Sequence, residues 1–116
     1  MIKGIGIDLI EISRFSKVSD DFLKQVFNSQ EIENTRNNPL LSSIKFCLKE
    51  SVLKALGKGL YFGFLWHKIK LENDEVNISE SLRQRLSEKN IIHTCAGNSK
   101  KYACAIAIIE DKQEVF

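Results

Sequence analysis

Apolar and polar positions alternate along residues 2–10, which predicts a β-strand at the beginning of the chain. Three apolar side chains share one face of this strand: Ile5, Ile7 and Leu9. The other face carries Gly4, Gly6 and Asp8. Because glycine weakens a strand, two glycines on one face indicate that another part of the molecule approaches the backbone there.

The region after Pro39 has the period of an amphipathic helix. Its buried stripe is predicted to consist of Ile44, Cys47, Leu48, Val52, Ala55 and Leu56. Gly57 and Gly59 are predicted to end the helix. A second stripe holds Phe46, Glu50, Leu53 and Lys54, flanked by Lys45 and Lys49. A wholly solvated face would not need Phe46 or Leu53, so this side is predicted to contact another surface.

Weaker patterns predict the remaining elements. They are a short helical region from about Ser13, a helix over residues 30–36 capped by Ser29, a strand over residues 64–71, a short helix capped by Ser79, and strands over residues 91–95 and 102–109. The last strand is apolar on both faces, which predicts a central strand packed on a helix or on a second copy of the chain.

Length and composition predict a single domain, residues 1–116, of which 43% are apolar and 28% charged. A net charge of +2 and the lack of a long basic run argue against a nucleic-acid partner. Neither a signal-peptide pattern nor an apolar stretch of membrane-spanning length is visible. Cys47, Cys95 and Cys104 form neither an even disulfide set nor a CxxC pattern, which indicates buried, reduced thiols in a cytoplasmic protein.

Asp8 and Glu50 are candidate ligands for a divalent cation. A buried carboxylate needs a cation or several hydrogen-bond donors, and Mg²⁺ favours one or two carboxylates together with water and phosphate oxygens. The residues leave an alternative open, in which Glu50 pairs with Lys54 one helical turn away and Asp8 accepts backbone N–H groups. Ion pairs of that kind are the commoner arrangement in proteins.

The basic residues around this helix are equally open to two interpretations. Lys45, Lys49 and Lys54 either face a phosphate or only solvate the helix, and Gly57-Lys58-Gly59 is either part of a phosphate site or only the end of the helix. His67 lies within an apolar row, which predicts a histidine in the core.

Two segments resemble the signatures of the holo-acyl-carrier-protein synthases, which are small 4'-phosphopantetheinyl transferases. They are GIGIDLIEISRF at residues 4–15 and FCLKESVLKALGKG at residues 46–59. Residues 66–71 and 101–105 resemble the middle and last strands of the same family. The resemblance implies an α+β fold, with a small mixed or antiparallel sheet packed against a long helix.

The resemblance also implies a reaction, the transfer of phosphopantetheine from coenzyme A to a serine of apo acyl carrier protein with release of 3',5'-ADP, a step in fatty acid biosynthesis. Matching positions imply that Asp8 and Glu50 hold Mg²⁺ and that Glu50 also orients or deprotonates the serine. They imply that Lys54 contacts the phosphates and that coenzyme A is bound by Lys45, Lys49 and the Gly57 segment. Arg14 is implied to contact the acidic carrier protein.

Family resemblance further implies a homotrimer with each active site between two subunits. The chain departs from the family pattern before the last strand, where Asn98 stands in place of a histidine and Ser99 keeps a hydroxyl group. Asparagine donates hydrogen bonds to phosphate but carries no positive charge, so this segment is predicted to change coenzyme A affinity. The alternative functions are a non-catalytic relative that binds carrier protein or coenzyme A, and a metal-dependent phosphohydrolase.

Overall fold

A computed structural model of the chain describes residues 1–57, 63–72, 75–84 and 86–112. The elements, in chain order, are β1 (Ile2–Glu11), a first 3₁₀-helix (Ile12–Ser16), α1 (Asp20–Val26), α2 (Ser29–Thr35), α3 (Pro39–Ala55), a second 3₁₀-helix (Gly63–Lys68), β2 (Ile69–Glu72), β3 (Glu75–Ile78), α4 (Glu80–Arg83), β4 (Asn90–Asn98) and β5 (Tyr102–Asp111).

An antiparallel sheet with the strand order β1-β5-β4 lies against the long helix α3. The side chains of β5 that face α3 are buried: Ala103, Ala105, Ala107 and Ile109. A separate hairpin of β2 and β3 adds Ile69 and Leu71 to the core formed with Val52 and Leu53 of α3. The predicted α+β fold with a small sheet on a long helix is therefore confirmed, and β5 is the central strand.

The glycine face of β1 lies directly on the backbone of α3. A Cβ atom on Gly4 would lie 2.0 Å from the carbonyl oxygen of Ala55, and one on Gly6 would lie 1.8 Å from that of Ser51. Two strand residues advance about 6.6 Å. Four helix residues advance about 6 Å, so every second residue of β1 meets a new turn of α3. The close approach predicted from the two glycines is thus a strand lying along a helix.

The opposite face of the sheet is apolar but uncovered. Its exposed side chains include Ile5, Ile7 and Leu9 of β1 and Ile106 of β5. Ile7 is the register partner of Ile106, so these side chains form one continuous patch. The apolar row of β1 therefore does not contribute to the core of this chain.

Asparagine residues cap α2 and α3. Asn28 caps α2 in a capping box with Glu31, so the prediction that Ser29 is the cap was wrong by one position. Asn38 caps α3, with Pro39 as its first residue, a position at which the missing N–H of proline costs nothing. Helix α1, capped by Ser19, has no counterpart among the predicted elements.

The predicted strand over residues 64–71 is wrong in its first part, because residues 63–68 form a 3₁₀-helix and the strand begins at Ile69. Trp66 packs into a cluster of aromatic rings there, which holds the segment in a turn. His67 is exposed, and its Nε2 lies 2.6 Å from the carbonyl oxygen of Lys24, so the prediction of a core histidine was also wrong. Within the described ranges, no helix is long and apolar enough to cross a membrane.

Candidate active site

Asp8 follows Gly4 and Gly6 on the same face of β1, where the strand passes along α3. Its side chain is only 14% exposed, and Oδ1 accepts a hydrogen bond from Lys54 Nζ at 2.9 Å. Oδ2 is buried and has no hydrogen-bond partner among the residues that the structure describes. A buried carboxylate oxygen without a strong donor is costly, so a further ligand at this atom would stabilise it.

Lys54 connects the long helix to the first strand. Its Nζ donates to the carbonyl oxygen of Ile7 at 3.0 Å as well as to Asp8, and its side chain remains 43% exposed. The ammonium group is therefore accessible to an anion from solvent. Lys54 pairs with Asp8 across 46 residues of sequence, in place of the local Glu50–Lys54 pair that the sequence left open.

Glu50 lies one turn before Lys54 on α3, so both side chains leave the same side of the helix. Its Oε1 accepts a hydrogen bond from the indole N–H of Trp66, and the residue is half-buried. The second carboxylate oxygen retains its capacity to accept a proton or bind a cation.

The chemistry of these two carboxylates suits a hard divalent cation. Asp8 offers the buried oxygen without a donor, and Glu50 offers a carboxylate from the neighbouring helix. Among the described residues, no group of three or more His, Cys, Asp or Glu side chains is arranged to hold a metal ion. Such an ion would complete its shell with water and substrate phosphate oxygens, which is how Mg²⁺ is usually bound.

Cys47 lies beside this site on the inner side of α3. It is fully buried, and its Sγ donates to the carbonyl oxygen of Ala103 at 3.6 Å. Burial, followed by the negative charge of Asp8, raises the pKa of the thiol to about 12. Cys95 and Cys104 are exposed, so the prediction of buried thiols is confirmed for Cys47 and wrong for the other two.

We expect Cys47 of the folded protein to remain unmodified by iodoacetamide at pH 8, because the thiolate is the reactive form and burial suppresses it. Peptide mapping by mass spectrometry after timed alkylation measures this. The control is protein unfolded in guanidinium chloride, in which all three thiols should react. Alkylation of Cys47 in the folded protein at the rate seen after unfolding would contradict the assignment.

Lys49 cannot bind the coenzyme A phosphates as predicted. The resemblance placed it against the coenzyme A phosphates, but its ammonium group is fully buried. It donates to Glu31 Oε1 at 2.6 Å, to the Val26 carbonyl oxygen at 2.9 Å and to the Trp66 carbonyl oxygen at 3.3 Å. All three of its donors are thus used inside the protein. Burial lowers the pKa of Lys49, and the pairing with Glu31 partly offsets that effect.

Other predicted binding residues lie at separate places on the surface. Lys45 is half-buried near the middle of α3, and Arg14 is exposed in the first 3₁₀-helix. Gly57 follows α3 with φ of +104°, a conformation that favours glycine, and a Cβ there would meet no atom within 4 Å. Lys58 and Gly59 lie outside the described residues.

Asn98 is the last residue of β4, and Ser99 begins the turn that leads to β5. Ser99 N–H donates to the Tyr102 carbonyl oxygen at 2.8 Å, and Ser99 Oγ accepts from Tyr102 N–H at 3.1 Å. The strand register places Asn98 opposite Ala103, which in turn faces Ile10.

Gly57, which follows α3, and Asn98, at the end of β4, are both predicted to bind coenzyme A, but within one chain they are far apart. Gly57 lies just beyond Ala55, which touches Gly4, whereas Asn98 lies at the level of Ile10. Six residues of β1 separate those levels, a distance of about 20 Å. A single chain therefore does not bring Gly57 and Asn98 to the same phosphate.

A model of the 4'-phosphopantetheinyl transferase superfamily matches residues 4–107. The chain belongs to this superfamily. The holo-[acyl-carrier-protein] synthase of Caldicellulosiruptor saccharolyticus is 38% identical to it over 126 aligned positions, which cover 96% of this chain and 100% of the relative. The predicted family membership is thus confirmed, and with it the assignment of the chain as an enzyme of this class.

Solved structures agree with this result. The holo-(acyl-carrier-protein) synthase of Bacillus anthracis, in complex with CoA (3',5'-ADP), is 28% identical with a TM-score of 0.72 and covers 97% of this chain and 99% of its own. The enzyme of Neisseria meningitidis has a TM-score of 0.80 at 20% identity, covers 96% of this chain and 100% of its own, and supports the fold alone.

The sequence did not predict the roles of two residues at the site, Glu31 and Trp66. Glu31 organises the buried contacts behind the site, and its spacing from Asn28 is a capping-box signal that was present in the chain. Trp66 donates to Glu50, but its interaction joins positions 16 residues apart in different elements. No local pattern indicates that contact.

Proposed function

We propose that this protein transfers 4'-phosphopantetheine from coenzyme A to a serine hydroxyl of an apo acyl carrier protein and releases 3',5'-ADP. The observation that carries this proposal is the buried Asp8 carboxylate, with one oxygen paired to an accessible Lys54 and the other without a donor in the part of the chain that the structure describes. That arrangement lies where the two family-like segments meet, in a chain 38% identical to a holo-[acyl-carrier-protein] synthase.

In the proposed reaction the serine oxygen forms a bond to the phosphorus that carries pantetheine. The bond from that phosphorus to the bridging oxygen breaks, and 3',5'-ADP leaves with the electron pair. Mg²⁺ bound by Asp8 and Glu50 would supply Lewis-acid activation of the pyrophosphate. Among the described residues, only one carboxylate oxygen of Glu50 has a hydrogen-bond partner, and the other would either accept the serine proton or orient the hydroxyl group.

Lys54 stabilises the negative charge that develops on the leaving oxygen. Its side chain is 43% exposed, and within the described part of the chain its ammonium group donates to Ile7 and Asp8 alone. A fixed positive charge aimed at the leaving group lowers the barrier more than it strengthens binding of the substrate.

Coenzyme A contacts are assigned to Lys45, Lys54, Gly57, Asn98 and Ser99. Lys49 is excluded from this set because its ammonium group is buried. Asn98 already donates from Nδ2 to the Ser99 carbonyl oxygen at 3.0 Å and would offer its second N–H to a phosphate.

We infer that the protein acts as a homotrimer in which each site is shared between two subunits. Two observations support this inference. The apolar face containing Ile5, Ile7, Leu9 and Ile106 is uncovered in the single chain, and such a patch usually marks an interface. In addition, Gly57 and Asn98 lie at opposite ends of the sheet, so two subunits would be needed for them to contact the same phosphate group.

Arg14 is assigned to the carrier protein. It is exposed in the 3₁₀-helix that directly follows β1, the strand that carries Asp8. A positive charge at that position would attract an acidic partner toward the site. The cytoplasm is the proposed compartment, since the three free cysteines suit a reducing environment.

Intact-mass spectrometry of an apo acyl carrier protein, incubated with this protein, coenzyme A and Mg²⁺, tests the proposal. We expect a mass gain of one phosphopantetheine, which chelation of the metal should prevent. No gain with several carrier proteins would reject the transferase. If coenzyme A then raised the melting temperature without transfer, the alternative of a relative that binds coenzyme A but does not transfer would be favoured. Asn98, which stands in place of the family histidine, would then be the first residue to test as the cause.

A further inference from the structure

Trp66 is held at both ends by two consecutive residues of α3. Its indole N–H donates to Glu50 Oε1, and its carbonyl oxygen accepts from Lys49 Nζ at 3.3 Å. One helix residue therefore fixes the backbone of Trp66, and the next accepts from its side chain.

The Lys49 end of this arrangement is anchored in the protein interior. Lys49 pairs with Glu31, and both side chains are buried. Glu31 also accepts from the Asn28 N–H at 2.9 Å and from the Leu71 N–H at 2.9 Å. The position of the Trp66 carbonyl is therefore tied to α2, α3 and β2 at once.

Aromatic packing fixes the orientation of the indole ring. Its centroid lies 6.0 Å from that of Phe22 in an edge-on arrangement and 5.5 Å from that of Phe46. Phe15 packs against both of these phenylalanines and completes the cluster. The direction in which the indole N–H points is thus set by neighbouring side chains.

We propose that Trp66 is a positioning residue that holds the Glu50 carboxylate for its role in the transfer reaction. This inference rests on the proposed function. A glutamate on a half-exposed helix face samples many rotamers, and a donor fixed to one oxygen restricts them. The other oxygen is then presented at one place, toward the cation or the serine hydroxyl. Loss of such a supporting donor typically costs about 10–100-fold in metal affinity or activity.

Trp66→Phe tests this inference, because it keeps an aromatic ring in the cluster and removes only the donor. We expect kcat to fall about 10–100-fold and Mn²⁺ affinity, measured by electron paramagnetic resonance with coenzyme A present, to fall by a similar factor. KM for the carrier protein should not change. The matched control is Phe22→Leu, which removes a ring that packs on Trp66 but leaves the indole N–H in place. Its kcat should stay close to that of the wild type.

A second measurement uses the wild-type protein, in which Trp66 is the only tryptophan. Mn²⁺ added with coenzyme A should quench its fluorescence, and Glu50→Ala should abolish the quenching. This measurement applies even if Trp66→Phe does not fold.

Wild-type kcat and Mn²⁺ affinity in Trp66→Phe would overturn the inference, as would equal losses of kcat in Trp66→Phe and Phe22→Leu. Fluorescence that does not respond to Mn²⁺ would also overturn it. A wild-type protein that transfers nothing would instead reject the proposed function, and the Mn²⁺ and fluorescence results would then decide separately whether Trp66 orients Glu50.

Discussion

Replacing Asp8 with asparagine should lower the rate of phosphopantetheine transfer at least about a hundredfold while leaving the protein folded. The carboxamide has the size of the carboxylate but lacks the charge that a divalent cation requires. Stability should change little, because the Lys54 partner is 43% exposed and exposed ion pairs contribute only about 0–1 kcal/mol. Oδ2 is buried and has no donor among the described residues, and a neutral amide costs less to bury there than a carboxylate, so the melting temperature should not fall appreciably.

Transfer is measured by the mass of the carrier protein over time, and stability by thermal unfolding. Glu11→Gln is the matched control, since it removes an exposed carboxylate from the end of the same strand. It should leave both quantities unchanged. Near-normal turnover in Asp8→Asn would remove the metal assignment, and a large loss of stability would show that Asp8 has a structural role instead.

The second large effect concerns stability. Lys49→Met should lower the free energy of unfolding by about 3–5 kcal/mol, because it leaves the buried Glu31 carboxylate without its cation. The Val26 and Trp66 carbonyl oxygens lose a donor in the same variant. Methionine preserves the length and the apolar stem of lysine, so lost packing contributes little to this difference.

Urea unfolding followed by far-UV circular dichroism measures this free energy. Lys45→Met is the control, one helical turn away on α3 and half-buried, and it should change the free energy of unfolding far less. If Lys49→Met were as stable as the wild type but bound coenzyme A more weakly, Lys49 would be a phosphate ligand as the family resemblance implied. The two results distinguish a structural from a binding lysine on the same helix.

Local pattern in the chain was sufficient for β1 and α3, which have clear periods of two and 3.6 residues. It was also sufficient for β5, which is a continuous apolar run. The glycines at positions 4 and 6 also indicated the close approach of another element, since only a bare backbone admits one. Residue type and spacing left two interpretations of Asp8, Glu50 and Lys54 open, and the family resemblance implied their roles in the site. The ion pair between Asp8 and Lys54 then proved to join the two segments.

Which group each charged side chain of α3 pairs with, by contrast, was decided only by the tertiary structure. Lys45, Lys49 and Lys54 are the same residue type on one helix, yet Lys49 is buried against Glu31 whereas Lys54 reaches Asp8 and remains accessible. A helical period shows which residues share a face but not which residue of another element lies opposite. The contact between Trp66 and Glu50 has the same origin, since the 3₁₀-helix that presents Trp66 depends on the aromatic cluster around it. Local sequence pattern therefore determined β1, α3 and β5, and packing between distant segments determined which charged groups are structural and which are available for chemistry.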